Sequence, residues 1–157
     1  MKSLVVYYSR TGNTRKVAQA IAGVLKADVE EIVDLKDRAG VKGYLLAGRD
    51  AMRKEETPIE PIKHDVTAYD LVVVGTPVWA FTMAAPVRSF LVGPGSSARR
   101  MAFFCTMGGS GANRAFREMQ AAGGREPNAT LALTERAVAA GSADQIAAFC
   151  AQASGTP

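Results

Sequence analysis

Three short stretches of this chain carry residue types that can do chemistry, and each directly follows an apolar run. Ser9-Arg10-Thr11-Gly12-Asn13-Thr14 packs three hydroxyls, a glycine and an asparagine between Leu4–Tyr8 and an amphipathic segment. Where a strand hands over to a helix, the first backbone N–H groups are unpaired and the helix dipole favours an anion. Hydroxyls add donors there without adding charge. The stretch therefore has the chemistry of a phosphate cradle, with a plain helix cap as the alternative. It lacks the Lys and second Gly of a G-x-x-x-x-G-K-[ST] loop, and it does not spell G-x-G-x-x-G. The second stretch, Thr76-Pro77-Val78-Trp79-Ala80-Phe81-Thr82, puts the single tryptophan in a connection. The third, Thr106-Met107-Gly108-Gly109-Ser110-Gly111, is glycine-rich and has Met107 as its bulky side chain. Singly, Trp79 can be a packing cap and Gly108-Gly109 a turn. Together, a phosphate cradle, an aromatic platform and a loop that lets backbone approach a flat ring describe a site for a phosphorylated planar cofactor.

The surrounding elements must position these stretches. Leu4-Val5-Val6-Tyr7-Tyr8 reads as a buried strand, and Val17, Ile21, Val24 and Leu25 fall on one face of a helix. Val29 to Val33 suggests a second strand, its edge position marked by Asp28, Glu30 and Glu31. Tyr44, Leu45, Gly48 and Met52 space as a second helix, ended by the Glu55–Pro61 stretch. Leu71-Val72-Val73-Val74-Gly75 is apolar throughout, as a central parallel strand buried on both faces requires. Pro86 suits the start of a third helix lined by Met83, Val87, Phe90 and Leu91. Met101–Cys105 reads as a fourth strand, followed by a helix carrying Ala112, Phe116 and Met119 inward. Ala129–Leu133 reads as a fifth, and Ser142 with Gln145 forms a capping-box pattern before Ile146, Phe149 and Cys150. Strands alternating with helices imply a three-layer α/β/α sandwich around a five-stranded parallel sheet. Ligands of such sheets collect outside the carboxyl ends of the strands, where strand order reverses. All three stretches lie there.

Composition narrows the partners. With 157 residues, 48% of them hydrophobic, the chain can build one domain with a sizeable core. No apolar run approaches the roughly 20 residues needed to span a bilayer. Met1-Lys2-Ser3 leads straight into strand residues, so no secretory signal is expected and the cytoplasm is the default compartment. Cys105 and Cys150 show no metal-ligand spacing and sit in apolar stretches, as buried thiols do. The net charge of +4 comes from scattered basic residues without interleaved aromatics, which argues against nucleic acid. A basic rim around an anionic cofactor or substrate is the better use of these charges.

Ser9-x-Thr11-Gly12-Asn13-Thr14 after the first strand, Trp79 after the third and the glycine-rich loop after the fourth resemble the flavodoxin family, over nearly the whole chain from Lys2 to about Gln152. The resemblance implies a single flavodoxin-like domain over residues 1–157 with strand order 2-1-3-4-5 and FMN at the switch between strands one and three. It implies that Ser9, Thr11, Gly12, Asn13 and Thr14 hold the phosphate, with Arg10 at the variable position. Thr76, Pro77, Val78, Trp79, Ala80 and Phe81 would meet the ring, Trp79 stacking on it. Thr106, Met107, Gly108 and Gly109 would offer backbone groups to its pyrimidine edge. The flavin carries the redox chemistry and the protein supplies position and electrostatics.

The chain departs from the pattern in ways that bear on function. Flavodoxins often have Trp-Gly-Asp in the second loop, where the Gly peptide flips when the flavin gains an electron; here the residues are Trp79-Ala80-Phe81. A left-handed conformation at Ala80 costs about 1–2 kcal/mol more than at glycine. The third loop lacks the Tyr that often covers the outer flavin face, a place for which Phe81 and Tyr44 are candidates. Many flavodoxins are strongly acidic, whereas this chain is basic, so a different partner is expected. The resemblance thus implies electron transfer through FMN to an unidentified redox partner protein. The alternative is an NAD(P)H:quinone oxidoreductase, which the Thr76-Pro77 start and the Met83–Leu91 segment also resemble. No side chain is expected to act as a catalytic acid or base. The lone His64 precedes the third strand and is expected to be an ordinary surface residue.

Overall fold

In a computed structural model, described for residues 1–36, 40–52 and 55–155, the chain alternates strand and helix. The strands are β1 (Ser3–Tyr7), β2 (Asp28–Glu31), β3 (Leu71–Trp79), β4 (Thr82–Met83), β5 (Met101–Met107) and β6 (Thr130–Thr134). The helices are α1 (Asn13–Leu25), α2 (Gly40–Met52), α3 (Ala85–Val92), α4 (Ala112–Gly123), α5 (Glu135–Ala140) and α6 (Ala143–Ser154). Five strands are parallel in the order β2-β1-β3-β5-β6, which is the expected order. The two-residue β4 is an unexpected addition, antiparallel to the end of β3.

The period-two alternation of each strand divides the core into two layers. Leu4, Val6, Val72, Val74 and Phe103 face Val87, Phe90 and Leu91 of α3 and Met119 of α4. Val5, Val73, Ala102 and Phe104 face Val17 and Ile21 of α1 and Phe149, Cys150 and Ala153 of α6. The periodicity of α1 ends at Lys26, whose left-handed φ of 52° closes the helix with its N–H on the Ala22 carbonyl. The burial of Cys105 and Cys150 is as expected and pushes their thiols up to about 12 and about 11.

Other local expectations fail for identifiable reasons. Ser142 precedes α6 but makes no capping bond; its hydroxyl donates to the Ala137 carbonyl of α5, a helix that the sequence pattern did not indicate. That helix is capped by Thr134, whose hydroxyl accepts from the Ala137 N–H at 3.1 Å. His64 is half-buried, its Nδ1 paired with the Glu30 carboxylate, which also accepts the Lys63 N–H at 3.0 Å. Glu30 is itself buried on the edge strand β2, so His64 anchors the turn before β3 rather than sitting loose on the surface. The side chains of Tyr44 and Met52 lie outside the described residues.

At the carboxyl end of the sheet, Gly75 of β3 pairs with Phe104 of β5. A Cβ at Gly75 would lie 1.9 Å from the Phe104 ring, which is fully buried. Gly75→Ala should therefore lower stability by about 1–3 kcal/mol or more through overpacking. Urea unfolding measures this, and Gly75→Ala combined with Phe104→Leu should recover part of the loss.

Candidate functional site

Tyr8 and the cradle follow β1, the Trp79 stretch ends β3, and the glycine-rich loop follows β5, so three adjacent strands deliver them side by side. This is also where the chain order reverses, since β2 lies on one side of β1 and β3 on the other.

The first loop closes on itself at its start. Ser9 Oγ accepts the Gly12 N–H at 3.1 Å and the Arg15 N–H at 3.3 Å. Gly12, at φ 103°, takes the position before α1 and has no side chain with which to cap it. Asn13 and Thr14 thus begin the helix with amides that have no acceptor within it, the arrangement that receives an anion. A Cβ at Gly12 would meet nothing within 4 Å, so the glycine serves the backbone conformation and the hollow outside it is open. Thr11 is exposed, while Ser9, Arg10 and Asn13 are partly so. Beside the cradle, Arg15 pairs with Glu31 of β2. Burial first, and then the Glu31 charge, raise the Tyr7 phenol above its ordinary 10.0.

The second stretch is not an open loop. Pro77, Val78 and Trp79 continue β3, and Val78 and Trp79 pair back onto Met83 and Thr82. Ala80 and Phe81 make the two-residue turn, at φ 48° and 66°. Positive φ at both central positions marks the turn that matches strand twist, normally filled by Asn-Gly or Asp-Gly. Here two L-residues hold it, at about 1–2 kcal/mol each. Three contacts hold the hairpin. The buried Thr76 hydroxyl donates to the Pro77 carbonyl at 2.8 Å and accepts the Ala84 N–H at 3.0 Å, joining the two arms at their base. Trp79 meets Tyr8 edge to face, with centroids 5.4 Å apart. Gly111, at φ 106°, lies so close to Val78 that a Cβ would come within 2.8 Å of it and within 3.0 Å of the Phe81 Cα.

Thr14 and Thr106 complete the linkage. Their hydroxyls, both buried, share a hydrogen bond of 2.7 Å between the start of α1 and the end of β5. The three stretches are thus joined pairwise, by Tyr8–Trp79, Thr14–Thr106 and Gly111 against the hairpin. In this arrangement the hydroxyls of Thr14, Thr76 and Thr106 bond protein atoms and position the loops. Met107, Gly108 and Gly109 lie at the rim, with open space beside both glycines. Phe81 is 58% exposed at the tip of the hairpin.

The contribution of Leu45, Gly48 and Arg49 of α2 was not expected from the sequence. A cleft of about 440 Å³ opens between α2 and the hairpin, lined by Leu45, Gly48 and Arg49 and by Val78, Trp79 and Ala80. The spacing of Tyr44, Leu45, Gly48 and Met52 indicates a helix, but which of its faces meets the Trp79 stretch depends on tertiary packing. Among the described residues no cluster of three His, Cys, Asp or Glu side chains can hold a metal. No described helix is long and apolar enough to cross a membrane.

A family model described as flavodoxin matches residues 2–149. A flavoprotein from Lactobacillus acidophilus NCFM, whose crystal structure is a complex with FMN, superposes with a TM-score of 0.73 at 23% identity, covering 88% of this chain and 97% of that one. A flavodoxin from the domain Archaea superposes at 0.58 with 18% identity, over 99% and 100% of the two chains. A flavodoxin, WrbA-like protein from Agrobacterium tumefaciens gives 0.57 at 16% identity, over 97% and 92%. At these identities the structural likeness is one of fold.

The strain at Ala80 and Phe81 is measurable. Replacing them together with Asn-Gly should raise the stability of the apoprotein by about 1–2 kcal/mol, read as a higher urea midpoint with an unchanged slope.

Proposed function

The chain belongs to the flavodoxin family, and from that premise we propose that it is a single-domain FMN-binding protein that transfers electrons through the flavin. The observation that carries this reading is the pairwise linkage of the three loops at the switch point, which gives one preorganised site rather than three separate turns. The FMN complex of the Lactobacillus flavoprotein supports the choice of cofactor. The residues fit it: Gly12 opens the start of α1 to an anion, and the linked hairpin and glycine-rich loop leave room for a flat ring.

When bound, FMN supplies the redox centre for electron exchange. Ser9 orders the cradle, the amides from Arg10 to Thr14 and the exposed Thr11 hydroxyl receive the phosphate, and the Thr14 hydroxyl holds the cradle in place through Thr106. Pro77, Val78 and Trp79 orient the ring, with Thr76 fixing the base of their hairpin and Ala80 and Phe81 its tip. Thr106, tied to Thr14, holds the third loop so that the backbone of Met107, Gly108 and Gly109 meets the ring's polar edge. His64 pairs with Glu30 ahead of β3, at the other end of the sheet, and takes no part. The redox partner is a protein or a small molecule, and the cytoplasm is the compartment that suits two unpaired thiols. A second reading, an FMN-dependent NAD(P)H:quinone oxidoreductase, draws support from the apolar cleft beside Trp79.

Reconstitution with FMN tests both. The wild-type chain should retain FMN through gel filtration, and Thr11→Val with Thr14→Val should weaken retention by about tenfold or more. Unchanged retention in that variant would remove the phosphate assignment. Anaerobic mixing with NADH or NADPH, followed by a quinone, separates the two readings. No bleaching without a separate reductase identifies the carrier, whereas rapid bleaching and many cycles of reoxidation identify the oxidoreductase.

A further inference from the structure

The cleft between α2 and the hairpin has features that the cofactor reading does not require. Gly48 sits inside α2, where glycine costs about 1 kcal/mol relative to alanine. A Cβ there would meet nothing within 4 Å, so packing does not call for glycine. What its missing side chain does is leave one wall of the cleft open opposite Val78, Trp79 and Ala80. Leu45, 66% exposed, extends that apolar wall to the surface.

The cleft also has a charge at its edge. Arg49 lines it with its side chain half exposed, and one guanidinium nitrogen lies 3.3 Å from Asp50 Oδ1. Asp50 is fully buried, and its other oxygen accepts from Lys36 Nζ at 3.0 Å. The carboxylate is therefore in contact with both Lys36 and Arg49 and orients Arg49. A guanidinium has five donors in a planar fork, so one contact to Asp50 leaves donors for a second anion.

We propose that this cleft is a binding site for a flat apolar anion, of about naphthalene size, bearing one carboxylate, sulfonate or enolate. Its ring lies over Gly48 against Trp79, and its charged oxygen meets Arg49. A volume of about 440 Å³ is in the range of small-molecule pockets and exceeds what one bicyclic ring fills. A neutral ring of the same shape would gain the apolar contacts but not the charge-assisted bond. That this ligand is the small-molecule redox partner rests on the flavin reading above; that it binds does not.

The probes are 1,4-naphthoquinone-2-sulfonate and the neutral 2-methyl-1,4-naphthoquinone, titrated into apo and FMN-loaded protein. The Trp79 indole and Gly48 amide resonances report binding. The expected result is saturable shifts at both positions in both forms, tighter for the sulfonate. Arg49→Met should weaken the sulfonate about tenfold and leave the neutral probe unchanged, while Arg49→Lys keeps part of the preference. Gly48→Leu, whose Cβ meets nothing within 4 Å and whose longer side chain enters the cleft, should abolish binding of both probes without altering FMN affinity. Absence of saturable shifts in the wild-type chain overturns the proposal, as does equal binding of the two probes. Displacement of the probe by FMN, or loss of FMN with the probe in Gly48→Leu, also overturns it, because the cleft would then be the cofactor's own. Probe binding to a chain that fails to retain FMN supports the cleft and removes the flavin reading instead.

Discussion

The site at the carboxyl edge depends on the missing side chain at Gly75. Phe104 fills the space that a Cβ would take, and this lets β3 and β5 run in register to their ends with a bulky ring between sheet and helices. Close packing leaves no slack for a shift there, because interiors respond to even one added methylene. Since β3 also pairs with β1, the position of three strand ends follows from it. The loops that leave those ends start from positions that the core sets, and the contacts among them then fix their courses.

On that fixed base, the conformational cost at the site is concentrated in one turn. Ala80 and Phe81 adopt left-handed backbone without the glycine or asparagine that makes it cheap, and the neighbours of the turn hold it. The Thr76 hydroxyl closes the base, Tyr8 meets Trp79, and the Gly111 backbone packs against Val78 and the Phe81 backbone. A turn that stays left-handed under such constraint presents Trp79 in one orientation. Rigidity of this kind lowers the cost of binding at any surface, since little ordering remains to be done.

Much of this was legible in the residues. Apolar runs such as Leu71–Gly75 identify buried parallel strands, and the alternation of elements allows few topologies. The start of α1 was visible because its signals are local: hydroxyls, a glycine and the onset of an apolar period within a few residues. The hairpin was not, because Trp79-Ala80-Phe81-Thr82 carries none of the residues that announce such a turn. The Thr14–Thr106 bond joins residues 92 apart, and Glu30 and His64 are 34 apart, distances over which no short pattern operates. The part played by α2 was hidden for another reason. Its period identifies a helix, but the neighbour that each face meets is decided by the fold.

The edge strand β2 has a consequence beyond anchoring His64. Three of its four residues, Asp28, Glu30 and Glu31, carry carboxylates, and Glu30 points inward. A strand at the margin of a sheet offers unpaired backbone groups to any passing chain. A second copy docking there would set acid against acid along the new ladder, an arrangement that like charges disfavour. Glu30 holds the turn before β3, and the short acidic strand that carries it thus also guards the sheet against growing past its own boundary.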